Sequence, residues 1–390
     1  MKVSIIAGGK FHAFNLAEEL EKNKILCKLV TSYPKYLIKN YKINNKRIKS
    51  FLLKEILIRF IDRFPFINSI FDCDIFICNY FDSRASKNID YINTDIIVGW
   101  SGFSKLSFEK ANKFKCIKVL ERGSAHIKFQ KEILEEEYLM LGIKPNIPSE
   151  KMIKKEIEEY DLADCIIVPS DFAKNTFLKF GISEKKVIKI PYGVDLKEFY
   201  KIKDYKSHDD KFRIISTGTL CVRKGIQYLI QAFIELDLKN SELVFVGPTN
   251  VEMKDYLNKY KKYKNIKFVS KQRQDRLIYF YNKSDLNIQC SIEDGFGMVI
   301  PQAMACGLPV ICTENTGGSE IIDDGVDGYV IPIRNINILK NKIKELYSDR
   351  KKLNQMSFKA HEKSIKKLSW EKYGETVVET YKNLIKKKFK

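Results

Sequence analysis

The sequence predicts an α/β protein made of two Rossmann-like, doubly wound parallel-sheet domains that face one cleft. Three observations predict it. Short, largely apolar runs alternate with helix-period stretches, as strands buried on both faces do. The alternation runs twice, once from Val3 and again from Phe212. Between the two series lie the turn-rich P-Y-G-V-D at 191–195 and a polar, aperiodic loop or linker at 201–211. At 390 residues the chain has room for two domains of ordinary size. The expected division is 1–193 and 194–370.

In the first series, strands are expected at Val3–Ala7, Lys28–Thr31, Ile75–Cys78, Ile96–Val98, Ile117–Leu120, Cys165–Pro169 and Val187–Ile190. Gly8 and Gly9 follow the first strand and precede a helix at Phe14–Lys22, where bare backbone can approach a phosphate. P-S-D at 169–171 is an N-cap signal for a helix over Phe172–Phe180. In the second series, strands are expected at Arg213–Ser216, Leu243–Val246, Ile266–Val269, Leu286–Gln289 and Val310–Cys312. Ligands of such sheets bind beyond the carboxyl ends of the strands, so the loops there are expected to share the cleft.

Composition narrows the class. The chain is 44% hydrophobic and 12% aromatic, which is globular, and no run approaches the roughly eighteen uncharged apolar residues of a membrane span. The opening M-K-V-S-I-I-A-G-G is too short for a signal peptide, and nine scattered cysteines without a C-x-x-C pair read as buried free thiols. A cytoplasmic protein is expected, with a place at the inner face of the membrane left open. The net charge of +20 favours anionic partners such as nucleotide phosphates, anionic lipid or nucleic acid. A basic nucleic-acid-binding protein would account for the charge, but helix-turn-helix, zinc-spacing and aromatic RNA-binding signatures are missing, so no nucleic acid is expected.

The richest stretch is E-D-G-F-G-M-V-I-P-Q-A-M-A-C-G-L-P-V at 293–310. Pro301 fits only the first turn of a helix, and Gly307 fits its C-terminal cap. A helix start offers free N–H groups to phosphate, whereas the carboxylates of Glu293 and Asp294 would repel phosphate and suit sugar hydroxyls. Both in one loop suggest a nucleotide-sugar site. At 214–225, I-I-S-T-G-T-L-C-V-R-K-G places Arg223 and Lys224 at a helix start; they are either a clamp for a diphosphate or a solvated basic pair.

These segments resemble the retaining GT-B glycosyltransferases of family 4. The resemblance rests on G-G-K-F-H-A-F-N-L-A (8–17), V-P-S-D-F-A (168–173), I-P-Y-G-V-D (190–195), G-T-L-C-V-R-K-G (218–225), the 293–310 stretch, T-G-G-S-E-I-I-D-D-G-V-D-G-Y-V-I-P (316–332) and S-W-E-K-Y (369–373). It implies a hexosyltransferase with a first, acceptor domain, a second, donor domain, and a C-terminal helix (371–390) that returns to the first. It implies donor contacts by Gly8, Gly9, Gly295, Phe296, Gly297, Met298 and Val299, and diphosphate binding by Arg223 and Lys224. The family's Glu-x7-Glu pair falls here on Asp294, for the donor sugar, and Gln302, for the ribose, with Glu293 a possible substitute for Asp294. Asp keeps the charge with shorter reach; Gln keeps hydrogen bonding but not charge. A donor-site relic serving as a scaffold is the competing reading.

By the same resemblance His126, in E-R-G-S-A-H at 121–126, is expected against the donor sugar and His12 on the acceptor side. The remaining His208 and His361 read as surface residues. No metal and no cofactor are expected. Asp72-Cys73-Asp74, the one D-x-D match, is read as loop acids at the amino end of a strand. The expected partners are a nucleotide sugar and a glycan or lipid-linked acceptor, in cell-surface polysaccharide, lipopolysaccharide or glycolipid synthesis. Segment 35–66 has nine Lys/Arg against two acids, interleaved with apolar residues. It reads equally as a peripheral contact with anionic membrane or as a helical face packed on the first sheet.

Overall fold

The computed structural model describes residues 1–63, 72–203, 205 and 209–388. Two all-parallel sheets organise the chain. The first has seven strands in the order β3-β2-β1-β4-β5-β6-β7: β1 Val3–Ala7, β2 Leu26–Thr31, β3 Ile48–Ser50, β4 Ile96–Trp100, β5 Ile117–Glu121, β6 Cys165–Val168 and β7 Val187–Lys189. The second has six in the order β10-β9-β8-β11-β12-β13: β8 Phe212–Thr217, β9 Ser241–Val246, β10 Ile266–Val269, β11 Leu286–Gln289, β12 Val310–Thr313 and β13 Gly328–Ile331. Each strand order reverses direction once, which opens a crevice above the carboxyl ends.

The strands are buried almost end to end: β1, β4, β6, β11 and β12 have no exposed residue. Helices cover both faces, so apolar runs rather than alternation mark these strands. Two short edge strands escaped the sequence reading: β3 has one buried residue in three, and β13 opens on Gly328.

One expected strand is a helix. Ile75–Cys78 lies inside the helix Cys73–Ser86, where the Asp72 carboxylate caps the first turn by accepting from Ile75 N at 3.2 Å. Asp72 also accepts from Ser149 Oγ at 2.5 Å. Its short apolar run fits either period, and the capping acid decides between them.

The chain crosses between domains where P-Y-G-V-D meets S-W-E-K-Y. Val194 N donates to Leu368 O at 2.7 Å, and a Cβ on Gly193 would come within 2.5 Å of the Ser369–Trp370 backbone. Only glycine fits that approach. The final helix, Trp370–Lys388, then packs on Ala13–Lys22 of the first domain, with Tyr373, Val377 and Tyr381 buried.

Basic segment 35–66 divides between its two readings. Ile38 and Ile48 are buried, while Leu37, Leu52, Leu53 and Ile56 are exposed. Its residues 64–66 lie outside the described residues.

Candidate active site

The cleft between the domains has a volume of about 680 Å³. Its first-domain wall is built by the loops after β1, β4 and β5, and its second-domain wall includes Met298 and Gln302. On the floor, His12 Nε2 lies 3.2 Å from Glu121 Oε2, and the imidazole packs on Tyr192 with ring centroids 4.0 Å apart and on Trp100 at 5.0 Å. Tyr192 reaches on to Phe296 of the second domain at 5.1 Å. His12 therefore sits in the cleft, on the first-domain side.

Arg223 and Lys224 come together with the two acids of the 293–310 stretch. The Glu293 carboxylate accepts from Arg223 Nε at 2.7 Å, and the Lys224 ammonium lies on Asp294. Local backbone makes this register. Gly225, at φ +60°, turns the chain so tightly against β11's end that a Cβ would meet Cys290 O, and Ile292 N donates to Arg223 O at 2.9 Å. Burial raises the Asp294 carboxyl's pKa, but Lys224 and Arg223 outweigh it and hold the group below its ordinary value, so it is ionised.

Glu293 does not face the cleft. It is fully buried and takes two further donors from the first domain, Ala125 N at 2.9 Å and Gln130 Nε2 at 2.8 Å. Arg223 Nη2 adds a bond to Ser124 Oγ at 3.0 Å. Glu293 is a tie between domains, which removes it as a stand-in for Asp294. The two acids are sequence neighbours whose side chains leave the backbone on opposite sides, a distinction that composition cannot carry.

His126 is also corrected. Its ring is 3% exposed, stacked on Phe180 at 4.5 Å and packed on Tyr160 and Phe177, away from the cleft. The residue caps the helix Ile127–Leu141, with Nδ1 accepting from Lys128 N at 3.3 Å. An N-cap side chain turns back toward its own helix, so the loop's cleft-facing residues are Glu121, Arg122, Gly123 and Ser124 instead. Burial first, then Arg122 and Lys128, lowers the imidazole to about 4, which keeps it neutral.

The glycine loop is used structurally. A Cβ on Gly295 would lie 2.2 Å from Gly123 O, and its own carbonyl accepts from Ser170 Oγ at 2.6 Å. Phe296 is buried against Tyr192, and Gly297, at φ +74°, donates its N–H to Asp294. The helix Val299–Ala305 follows, with Val299 half-buried and Gly307 at φ +81° closing it. Met298 and Gln302 reach the cleft, where Gln302 Oε1 is 3.5 Å from Tyr281 OH. Gly8 and Gly9 sit under the rings of Phe103 and Phe11, which occupy the places their Cβ atoms would take.

Glu121 escaped the sequence reading because, in E-R-G-S-A-H at 121–126, His126 was taken as the residue of the site. Glu320 joins the domains too, accepting from Asp171 N at 2.7 Å and Lys189 Nζ at 2.6 Å. His361, expected at the surface, is half-buried, with Nδ1 2.9 Å from Ala305 O. His208 lies outside the described residues.

Two parallel-sheet domains closing on one cleft define the GT-B class of fold, and solved structures share it along the whole chain. Sucrose-phosphate synthase from Thermosynechococcus elongatus superposes with a TM-score of 0.67 at 18% identity, covering 98% of this chain and 99% of that one. Anabaena HepE in complex with UDP and glucose gives 0.69 at 15% identity, covering 98% and 100%. Residues 198–363, most of the second domain, match the family Glycosyl transferases group 1.

Among curated relatives, an uncharacterized glycosyltransferase of Methanocaldococcus jannaschii is 30% identical over 222 residues, 57% of this chain and 60% of the relative. The lipopolysaccharide 1,2-N-acetylglucosaminetransferase of Salmonella typhimurium is 30% identical over 239 residues, 56% of this chain and 62% of the relative. These matches span about 60% of the relatives' length.

Proposed function

We propose that the protein is a retaining, metal-independent glycosyltransferase that moves a sugar from a nucleoside diphosphate to an acceptor hydroxyl. The observation that carries this reading is the pairing of Lys224 with ionised Asp294 on the loop that leads into Met298 and Gln302 of the interdomain cleft. The bond between the sugar's anomeric carbon and the diphosphate oxygen breaks, a bond from that carbon to the acceptor oxygen forms, and the acceptor hydroxyl's proton passes to the departing diphosphate. Negative charge grows on the departing diphosphate, where Lys224 and Arg223 stabilise it, a role that cationic side chains fill without a metal. Asp294 accepts hydroxyls of the donor sugar, and Gln302 reaches the ribose. The group 1 module and the UDP-bound HepE structures support a nucleotide-sugar donor.

The name of the Salmonella relative supports a role in cell-surface glycan or glycolipid synthesis. Among the described residues no helix is long and apolar enough to cross a membrane. The exposed Leu37, Leu52, Leu53 and Ile56 on a lysine-rich segment support peripheral contact with anionic lipid at the inner face.

Incubation with UDP- and GDP-sugars and simple glycosides, followed by proton NMR of the anomeric signals, tests the reaction. A product with the donor's anomeric configuration supports a retaining transfer; the opposite configuration contradicts retention, and no release of nucleotide from any donor favours a scaffold.

A further inference from the structure

The wall of the cleft formed by the first domain and the crossover segment after Tyr192 carries more negative than positive charge. Glu18, Glu121, Asp195 and Glu198 line it. Of the three cations among the described lining residues, Arg122 is consumed by Glu156 at 2.8 Å, Ala125 O at 3.1 Å and Gln130 Oε1 at 3.1 Å. Lys10 and Lys197 remain, two cations against four carboxylates. The local field is visible in neighbouring groups. Burial, then Glu198, Asp195 and Glu18, push the Tyr41 hydroxyl up to about 12, and burial, then Asp195, raises the Glu198 carboxyl.

A second observation points to a ligand. Glu121 lines the cleft and is 1% exposed, and its Oε2 meets His12, yet Oε1 has no hydrogen-bond partner. The Tyr192 hydroxyl beside His12 is without a partner as well. Buried polar atoms left unpaired are costly, and a substrate hydroxyl supplies the missing donor. Beside them an apolar face is open: the Phe11 ring is 52% exposed and lies nearly parallel to Trp100, with centroids 6.2 Å apart. Aromatic faces suit the C–H face of a sugar ring.

Resting on the glycosyltransferase reading, we infer that the acceptor end admitted here is an uncharged or amino-bearing saccharide ring, packed on Phe11 and read by Glu121 and Glu198. A phosphorylated or uronic ring is excluded, because its anion would face four carboxylates against only two lysines.

Saturation-transfer NMR tests this with methyl glucoside, glucosamine, glucuronate and glucose 6-phosphate, each titrated with and without UDP. The two anions are expected to bind about tenfold more weakly than the others, and Glu198→Gln, alone and with the isosteric Glu121→Gln, to narrow the gap. Anions binding as well as neutral rings, an unchanged gap in the variants, or no ring binding at all overturns the inference. Failure of UDP to bind counts separately, against the donor reading, while the order of the sugars still decides this one.

Discussion

Gln130 of the first domain donates to Glu293 of the second at 2.8 Å, across 163 residues of chain, with Gln130 buried and Glu293 fully so. The same carboxylate holds Arg223 at 2.7 Å. One buried group thus fixes the first-domain loop that lines the cleft, the basic pair and the start of the glycine loop.

Glu293→Ala leaves the Arg223 guanidinium and Ala125 N–H without their partner. Loss of one member of a buried ion pair costs about 3–5 kcal/mol. Urea unfolding is expected to show a loss of that size, with Glu293→Gln milder because the amide oxygen still accepts. An equal stability for wild type and Glu293→Ala would remove Glu293 as a tie.

Lys224→Ala is expected to lower turnover with a nucleotide-sugar donor by about 10²–10³-fold, the range for removing one preorganised charge from a developing anion. Circular dichroism should show the fold retained, since the Lys224 side chain is part-exposed and pairs with Asp294. Asp294→Asn should impair discrimination between donor sugars more than binding of the nucleoside diphosphate, read by competition with UDP.

Gly295→Ala inserts a methyl group 2.2 Å from Gly123 O, so the two domains must separate. The expected outcome is a larger radius of gyration in small-angle scattering and a lost transfer rate, with each domain still folded. An unchanged radius would show that the loop yields instead.

His126 carries a pH signature. Its folded value, about 4, lies below the ordinary 6.5. Between those pH values the unfolded chain binds a proton that the folded chain refuses, so stability falls as pH drops through this window and is unaffected above it. His126→Asn keeps a capping acceptor and removes the titration. Denaturation at pH 4.5 and 7.5 should show a smaller acid loss for the variant than for wild type. Transfer rate at pH 7.5 should stay within about twofold, since the ring packs away from the cleft.

The two sheets were legible because their strands are buried on both faces and are written as apolar runs. Edge strands β3, with one buried residue in three, and β13, opening on Gly328, were not, and Ile75–Cys78 was misread because its capping Asp72 was treated as a loop acid. At the site, Arg223, Lys224, Asp294 and Gln302 were named from the family resemblance; the fold brings Arg223 and Lys224 onto Glu293 and Asp294 and sets Gln302 in the cleft wall. The roles of Glu293 and His126 were misassigned because sequence order fixes which loop a residue joins but not which way its side chain leaves. Glu121 and its pairing with His12 depend on two strand ends 109 residues apart, a juxtaposition that only the folded sheet supplies.

The most direct test of the central claim is calorimetric titration of wild type and Lys224→Ala with UDP-glucose, UDP-N-acetylglucosamine and GDP-mannose. The account predicts that at least one of them binds wild type and that Lys224→Ala weakens it by about tenfold or more. Binding of none, or equal binding by both proteins, would contradict it.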